Sequence, residues 1–262
     1  MSCLLNQAAG TCRFRINFIR VQVFSQRTGR LDALLLDDGV LTEMRTAAAG
    51  ALAVRCLGPK RVGRIGLLGT GVQARYQLRF LRTVTDCREV LVFGRTESNV
   101  AAFVKECAAD GWKIAVASRT DELLEACGVI VCVTSSREAL LGITHTDGAV
   151  TQLDGGQLIV CIGADAPGKM ELNPRLVAAA DLLVADSLLQ TQERGEYKKA
   201  IEEGLVSLSD VVEIGKILGG RKDLQRRAAN DDRLIIFDSS GVAVQDCAIA
   251  GIVYKAIMQG SQ

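Results

Sequence analysis

Val62-Gly63-Arg64-Ile65-Gly66-Leu67-Leu68-Gly69-Thr70-Gly71-Val72-Gln73-Ala74 is a short apolar run that breaks at Gly69-Thr70-Gly71 and passes into a helical pattern. A strand, a G-x-G-x-x-A turn and a helix in that order form the phosphate-binding corner of a dinucleotide-binding unit. The turn does three things. Gly69 permits the tight exit from the strand, Gly71 lets backbone approach a pyrophosphate, and Ala74 keeps the helix close to the sheet. The amides of Val72 and Gln73 then face the phosphates at the positive end of the helix.

Working outward, the chain alternates. Strands are expected at 62–68, 89–93, 113–117, 129–134, 157–162 and 182–185, and helices at 72–84, 97–109, 121–126 and 174–180. Asn173 caps the last of these, with Pro174 at its first position. The strands are continuous apolar runs, as a parallel sheet covered on both faces requires. The fold class is therefore α/β, a Rossmann-type doubly wound parallel sheet over residues 58–187. A second α+β domain is built from both chain ends. Residues 1–57 supply a hairpin (21–24 and 33–36) around Gln26-Arg27-Thr28-Gly29-Arg30, then a helix from Arg45 to Leu57 with Thr42 as its cap. Residues 188–262 supply helices at 192–204, 208–218 and 242–257 and a strand at 233–237, returning to the first domain.

Composition narrows the function. The 262 residues carry 31 basic and 30 acidic side chains, for a net charge of +1, so no electrostatic footprint for nucleic acid or an anionic membrane exists. No apolar stretch reaches the roughly 18–20 residues that span a bilayer. Nine cysteines occur without a Cys-x-x-Cys pair, which reads as reduced, buried thiols of an intracellular protein. With the single His145 in a loop-like run, no metal site is expected. The first 31 residues hold five arginines and no acid, a composition like that of a mitochondrial presequence. The strand-like pattern of residues 18–24 argues instead for a cytoplasmic protein.

The second strand of the unit ends Val92-Phe93-Gly94-Arg95-Thr96. A carboxylate there would accept the ribose hydroxyls of NAD, and none is present. Arg95 matches a 2′-phosphate in charge and geometry, which favours NADP(H) over NAD(H) and makes Arg95 and Thr96 cofactor-binding candidates. The alternative for Arg95 is a solvated loop position.

Three further segments change the weight of the argument: Leu41-Thr42-Glu43-Met44-Arg45-Thr46-Ala47-Ala48, Ile162-Gly163-Ala164-Asp165-Ala166-Pro167-Gly168-Lys169-Met170-Glu171-Leu172, and Phe237-Asp238-Ser239-Ser240-Gly241-Val242-Ala243-Val244-Gln245-Asp246. Together with the glycine turn, and in this order from about residue 21 to the C-terminus, they resemble the ornithine cyclodeaminase/mu-crystallin family. The resemblance implies a homodimer of two-domain subunits and a small-molecule substrate or ligand. It places Asp165 as the catalytic acid/base, Arg45 near the substrate carboxylate, and Thr134, Lys169 and Ser239 beside the cofactor. Gly94-Arg95-Thr96 is similar to the NADPH-using, mu-crystallin-like branch, whereas the Pro-Gly-Lys after Asp165 is closer to the cyclodeaminases. Elementary chemistry agrees with these roles. Hydride transfer to an imine needs a proton for nitrogen, which a carboxyl group at the end of a sheet strand can supply. Partial burial would lift its pKa, and an arginine holds a carboxylate bidentately.

Two departures mark the substrate half. The resemblance implies a longer N-terminal segment with a lysine against the substrate carboxylate, yet residues 1–20 hold no lysine. Leu158 also stands where relatives often have His. The expectation is therefore an NAD(P)-dependent enzyme of ornithine cyclodeaminase or ketimine reductase type with a shortened N-terminal part. The alternatives are a non-catalytic NADPH-dependent binder of small ligands, like mu-crystallin with thyroid hormone, or a poorly folding fragment.

Overall fold

The computed structural model describes residues 20–142, 156–225 and 231–260. Cys3, Cys12, Arg13, Arg15 and His145 lie outside them.

The chain opens with an antiparallel hairpin, β1 (Arg20–Phe24) and β2 (Leu31–Leu36), closed through Ser25 and Gly29. Helix α1 (Val40–Leu57) follows and starts five residues before the expected Arg45. Thr42 is not its cap. Asp38 and Gly39 take positive φ, and the Asp37 carboxylate accepts the Leu41 amide at 2.8 Å, so the turn itself satisfies the helix start.

Next come β3 (Ile65–Leu68), α2 (Val72–Leu81), β4 (Glu89–Phe93), α3 (Glu97–Ala109), β5 (Lys113–Val116), α4 (Asp121–Ala126), β6 (Val129–Cys132), β7 (Leu158–Cys161), α5 (Pro174–Ala178) and β8 (Leu182–Ala185). The Asn173 side chain caps α5 by accepting the Arg175 amide. Between residues 188 and 219 the elements depart from expectation, while the strand expected at 233–237 and the helix expected at 242–257 are both present. In place of one helix over 192–204, α6 (Leu188–Glu193) and α7 (Lys198–Glu202) are separated at Gly195-Glu196. A Cβ on Gly195 would collide with the Asp238 carboxylate and Thr191, so the chain turns there and aims Glu196 inward. Val211–Glu213, expected inside a helix, is strand β9, followed by the short α8 (Ile214–Gly219). Then come β10 (Ile235–Asp238) and α9 (Ala243–Gly260).

All strands after the hairpin join one parallel sheet of eight, in the order β5-β4-β3-β6-β7-β10-β8-β9. The sheet thus takes two strands from the segment expected to return to the first domain, and β10 sits between β7 and β8. The order in which strands are added reverses between β3 and β6, the switch point where doubly wound sheets bind ligands.

The sheet residues split with period two. Ile65, Leu67, Val129, Val131, Leu158 and Val160 pack under α1, α2 and α3, while Leu68, Ile130, Cys132, Ile159 and Cys161 pack under α4, α5 and α7. The central strands β3, β6 and β7 therefore bury both faces, whereas β5 at the sheet edge is largely exposed. A third, smaller cluster joins Leu35, Leu41 and Ala250, so α9 closes on α1 and the hairpin. Cys107, Cys127, Cys132 and Cys161 are buried, Cys56 and Cys87 half-buried, and Cys247 exposed, with no disulfide among the described residues. No helix among the described residues is long and apolar enough to cross a membrane.

Candidate active site

The glycine turn leaves β3 with Gly69 at φ +114°, its amide donating to the Phe93 carbonyl at 2.8 Å. A Cβ at Gly69 would press on the Val133 carbonyl at 3.2 Å, so glycine is required twice over. Gly71 differs. It begins α2 with nothing within 4 Å of where a Cβ would stand, and Val72 after it is 58% exposed. No side chain caps α2. The helix thus presents its first-turn amides to an open crevice at the switch point, an arrangement that fits a dinucleotide pyrophosphate.

That crevice opens into a cleft of about 500 Å³. Of the sequence-derived candidates, Arg45, Gln73, Thr134, Asp165, Lys169 and Ser239 all line it. Gly69, Gly71 and Val72 flank it through the turn. Arg95 and Thr96 stand apart at the end of β4, both exposed. Arg95 has no hydrogen bond or ion pair among the described residues, and Thr96 begins α3 without a side-chain cap.

Arg45 is aimed by residues two hundred positions away. Its Nε donates to Asp246 Oδ1 at 3.0 Å and its Nη1 to Gln245 Oε1 at 3.2 Å, both at the start of α9. The guanidinium also underlies Gly241, where a Cβ would lie 3.1 Å from Nη1. Across the cleft, Gln73 Nε2 donates to Glu43 Oε2 at 2.5 Å, tying α2 to α1. Burial raises the Glu43 carboxyl above its ordinary range, with the Gln73 bond and Arg45 opposing.

Asp165 follows β7 and pairs with Lys169 Nζ at 2.5 Å. Partial burial was expected for it. The side chain is instead 58% exposed at the cleft mouth. Burial falls on another acid of the same segment. Glu171 is fully buried and accepts the Thr134 amide at 2.6 Å through Oε1 and the Gly163 amide at 2.9 Å through Oε2. Its own amide donates to Glu196 at 2.9 Å. Burial pushes the Glu171 carboxyl up to about 7, held back by those amides and by Lys169. Burial, and then the Glu171 charge, push Glu196 well above the usual carboxylate range. On the other side, Asp186 organises the turn after β10, accepting Ser239 Oγ at 3.1 Å, Ser240 Oγ at 3.0 Å and the Gly241 amide at 2.8 Å.

Sequence reasoning passed over Glu43, Asp246, Asp186 and Glu171. Three of these acids lie inside the quoted motif segments, so the signal was present. What was missing was which carboxylates face inward. Among the described residues no cluster of His, Cys, Asp or Glu is arranged to hold a metal ion.

A parallel sheet with a phosphate-binding turn, opening onto a cleft that carries an arginine and an exposed acid, defines a dinucleotide-dependent enzyme class. The sequence profile of the Ornithine cyclodeaminase/mu-crystallin family matches residues 16–261, and the chain belongs to that family. It is 34% identical to an alanine dehydrogenase of Archaeoglobus fulgidus, over 84% of this chain and 65% of that protein. It is 32% identical to an iminosuccinate reductase of Paracoccus denitrificans, over 90% of this chain and 69% of that protein. The structure superposes on an archaeal alanine dehydrogenase dimer with bound NAD at a TM-score of 0.80 and 32% identity, covering 91% of this chain and 71% of that one. The chain therefore spans about two thirds of the length of these relatives.

Proposed function

We propose that the chain is an NADP(H)-dependent oxidoreductase acting on a small amino acid or its cyclic imine. The observation that carries this reading is the continuity of the uncapped α2 start with a cleft that already holds Arg45, Asp165 and Lys169. The turn and the α2 amides would hold the pyrophosphate, with Thr134, Lys169 and Ser239 along the dinucleotide. The nicotinamide, when bound, supplies a hydride to the imine carbon or removes one from the amino acid. Arg45, pre-oriented by Gln245 and Asp246, grips the substrate carboxylate. Asp165 gives a proton to the imine nitrogen or takes one from the amine, and Lys169 keeps its carboxylate directed over the cleft.

NADP(H) is favoured because Arg95 ends β4 exposed and uncommitted to any described partner, while no carboxylate stands there to repel a 2′-phosphate. A homodimer is part of this reading. Leu34, Leu36 and Ile252 are exposed on the hairpin and α9 of the single chain.

The test is a titration of purified protein with NADPH and NADH, following cofactor fluorescence. A cyclic ketimine carboxylate is then added and cofactor absorbance followed. Tighter binding of NADPH and substrate-dependent loss of absorbance are expected. Cofactor binding without turnover on cyclic imino acids and small 2-oxo acids with ammonia rejects the enzyme reading, and no cofactor binding rejects the site.

A further inference from the structure

We infer that Glu171 is a positioning residue that locks the carboxyl ends of β6 and β7 together, so that the wall of the cleft and the Asp165–Lys169 loop keep one geometry. The inference rests on the proposed reading in one respect: Thr134 lies along the dinucleotide and Asp165 carries the proton.

The geometry is specific. Thr134 and Gly163 lie just past the ends of adjacent strands, β6 and β7, and both line the cleft. Neither amide continues a strand ladder. Each instead donates to a different oxygen of one carboxylate, so a single side chain bridges two strand ends. Gly163 has no room for anything else: a Cβ there would collide with the Thr134 carbonyl and lie 2.5 Å from Glu171 Oε2. Glu171 is itself anchored. Its amide and that of Leu172 donate to Glu196, and its carbonyl accepts the amides of Leu140 and Leu141. The segment from Gly163 to Glu171 is thus pinned at both ends by one residue, and Asp165 and Lys169 ride on it.

Two amide donors need an acceptor at both oxygens, which only the ionised carboxylate supplies fully. Burial opposes ionisation and pushes the group up to about 7. The groups facing it are Lys169 from its own loop, which favours the charge, and Glu196 between α6 and α7, which disfavours it. The Cys132 and Cys161 thiols of β6 and β7 complete the surroundings. The clamp accordingly loosens as pH falls through about 7.

The test is Glu171→Gln, whose amide keeps the shape but turns a donor toward one of the two N–H groups. In cofactor-free protein near pH 8, residue-resolved hydrogen exchange at Thr134 and Gly163 should accelerate by about 10-fold or more, with Ile130 and Val160 unchanged. If the variant fails to fold, wild-type protein carries the same test, because exchange at both amides, corrected for its intrinsic pH dependence, should rise on acidification below neutrality. With cofactor and substrate, kcat should fall about 10-fold or more with KM little changed, and the acidic limb of the kcat–pH profile should disappear. A wild-type protein that binds cofactor without turnover defeats the proposed reaction but not the clamp; cofactor affinity, weakened in the variant, is then the readout. Unchanged exchange at both amides overturns the inference. So does faster exchange with cofactor affinity, kcat and pH profile all unaltered.

Discussion

Asp238 offers the sharpest physical test, because its burden is electrostatic and can be removed by one atom. It ends β10 in the middle of the sheet, 1% exposed. One oxygen accepts the Thr191 hydroxyl and the other has no partner among the described residues. Burial pushes the carboxyl from 3.8 up to about 7, against hydrogen bonds donated by the Thr191 hydroxyl and the Glu196 backbone amide and with help from the Asp186 charge. The folded chain therefore keeps a proton that the unfolded chain has already lost, and stability falls as pH rises between these values. Integrating that difference from pH 5 to pH 7.5 gives a loss of roughly 2–3 kcal/mol, most of the stabilisation that the held proton supplies. Asp238→Asn has no such titration. Its stability relative to wild type should grow by roughly 2–3 kcal/mol over that range, whatever the offset at pH 5 from altered hydrogen bonding. Urea unfolding of cofactor-free protein at one fixed concentration reads this difference. Glu171 and Glu196 titrate in both proteins and largely cancel. A difference that stays constant from pH 5 to 7.5 refutes the reasoning, because it means that Asp238 is ionised in the fold at little cost.

Other outcomes are equally specific. Arg95→Asp should lower the NADPH-to-NADH affinity ratio by about 10- to 100-fold, the value of a charge-assisted contact exchanged for repulsion, and an unchanged ratio in a fluorescence titration means that Arg95 does not read the phosphate. Asp165→Asn should abolish turnover while leaving cofactor affinity within about twofold, since its side chain lies at the cleft mouth; retained kcat removes it from the chemistry. Gly163→Ala drives a methyl into the Thr134 carbonyl and Glu171, for a loss of about 1–3 kcal/mol visible as a lowered thermal midpoint. Asp246→Asn should weaken substrate affinity only a few-fold, because the Asp246 side chain is 46% exposed and screened, whereas Arg45→Ala should raise KM by about 10-fold or more.

The pattern of success and failure in reading this chain has a physical cause. Ile65–Leu68, Val129–Cys132 and Leu158–Cys161 were legible because a strand buried on both faces must be apolar throughout, and the glycine turn because the backbone at Gly69 admits nothing else. Local order sufficed for both. Val211–Glu213 was not legible, since three residues carry no period and their strand character comes from lying beside β8. The placement of β10 between β7 and β8 is likewise a property of the whole sheet, which no window of sequence holds. The site divides the same way. Arg45, Asp165 and Lys169 stood out as charges in a motif, but an acid inside a motif reads alike whether it faces solvent or core. In Asp165-Ala166-Pro167-Gly168-Lys169-Met170-Glu171 the exposed acid and the buried one are six positions apart. Only the fold decides that the first meets the cleft and the second meets two strand ends. Because folding must desolvate Glu171 and can do so only by giving it two amides, its burial is affordable at one place in the sheet, where adjacent strands end together beneath the cleft. Of the carboxylates that sequence reasoning passed over, Glu171 is for that reason the one tied through Gly163 to the position of the catalytic candidate.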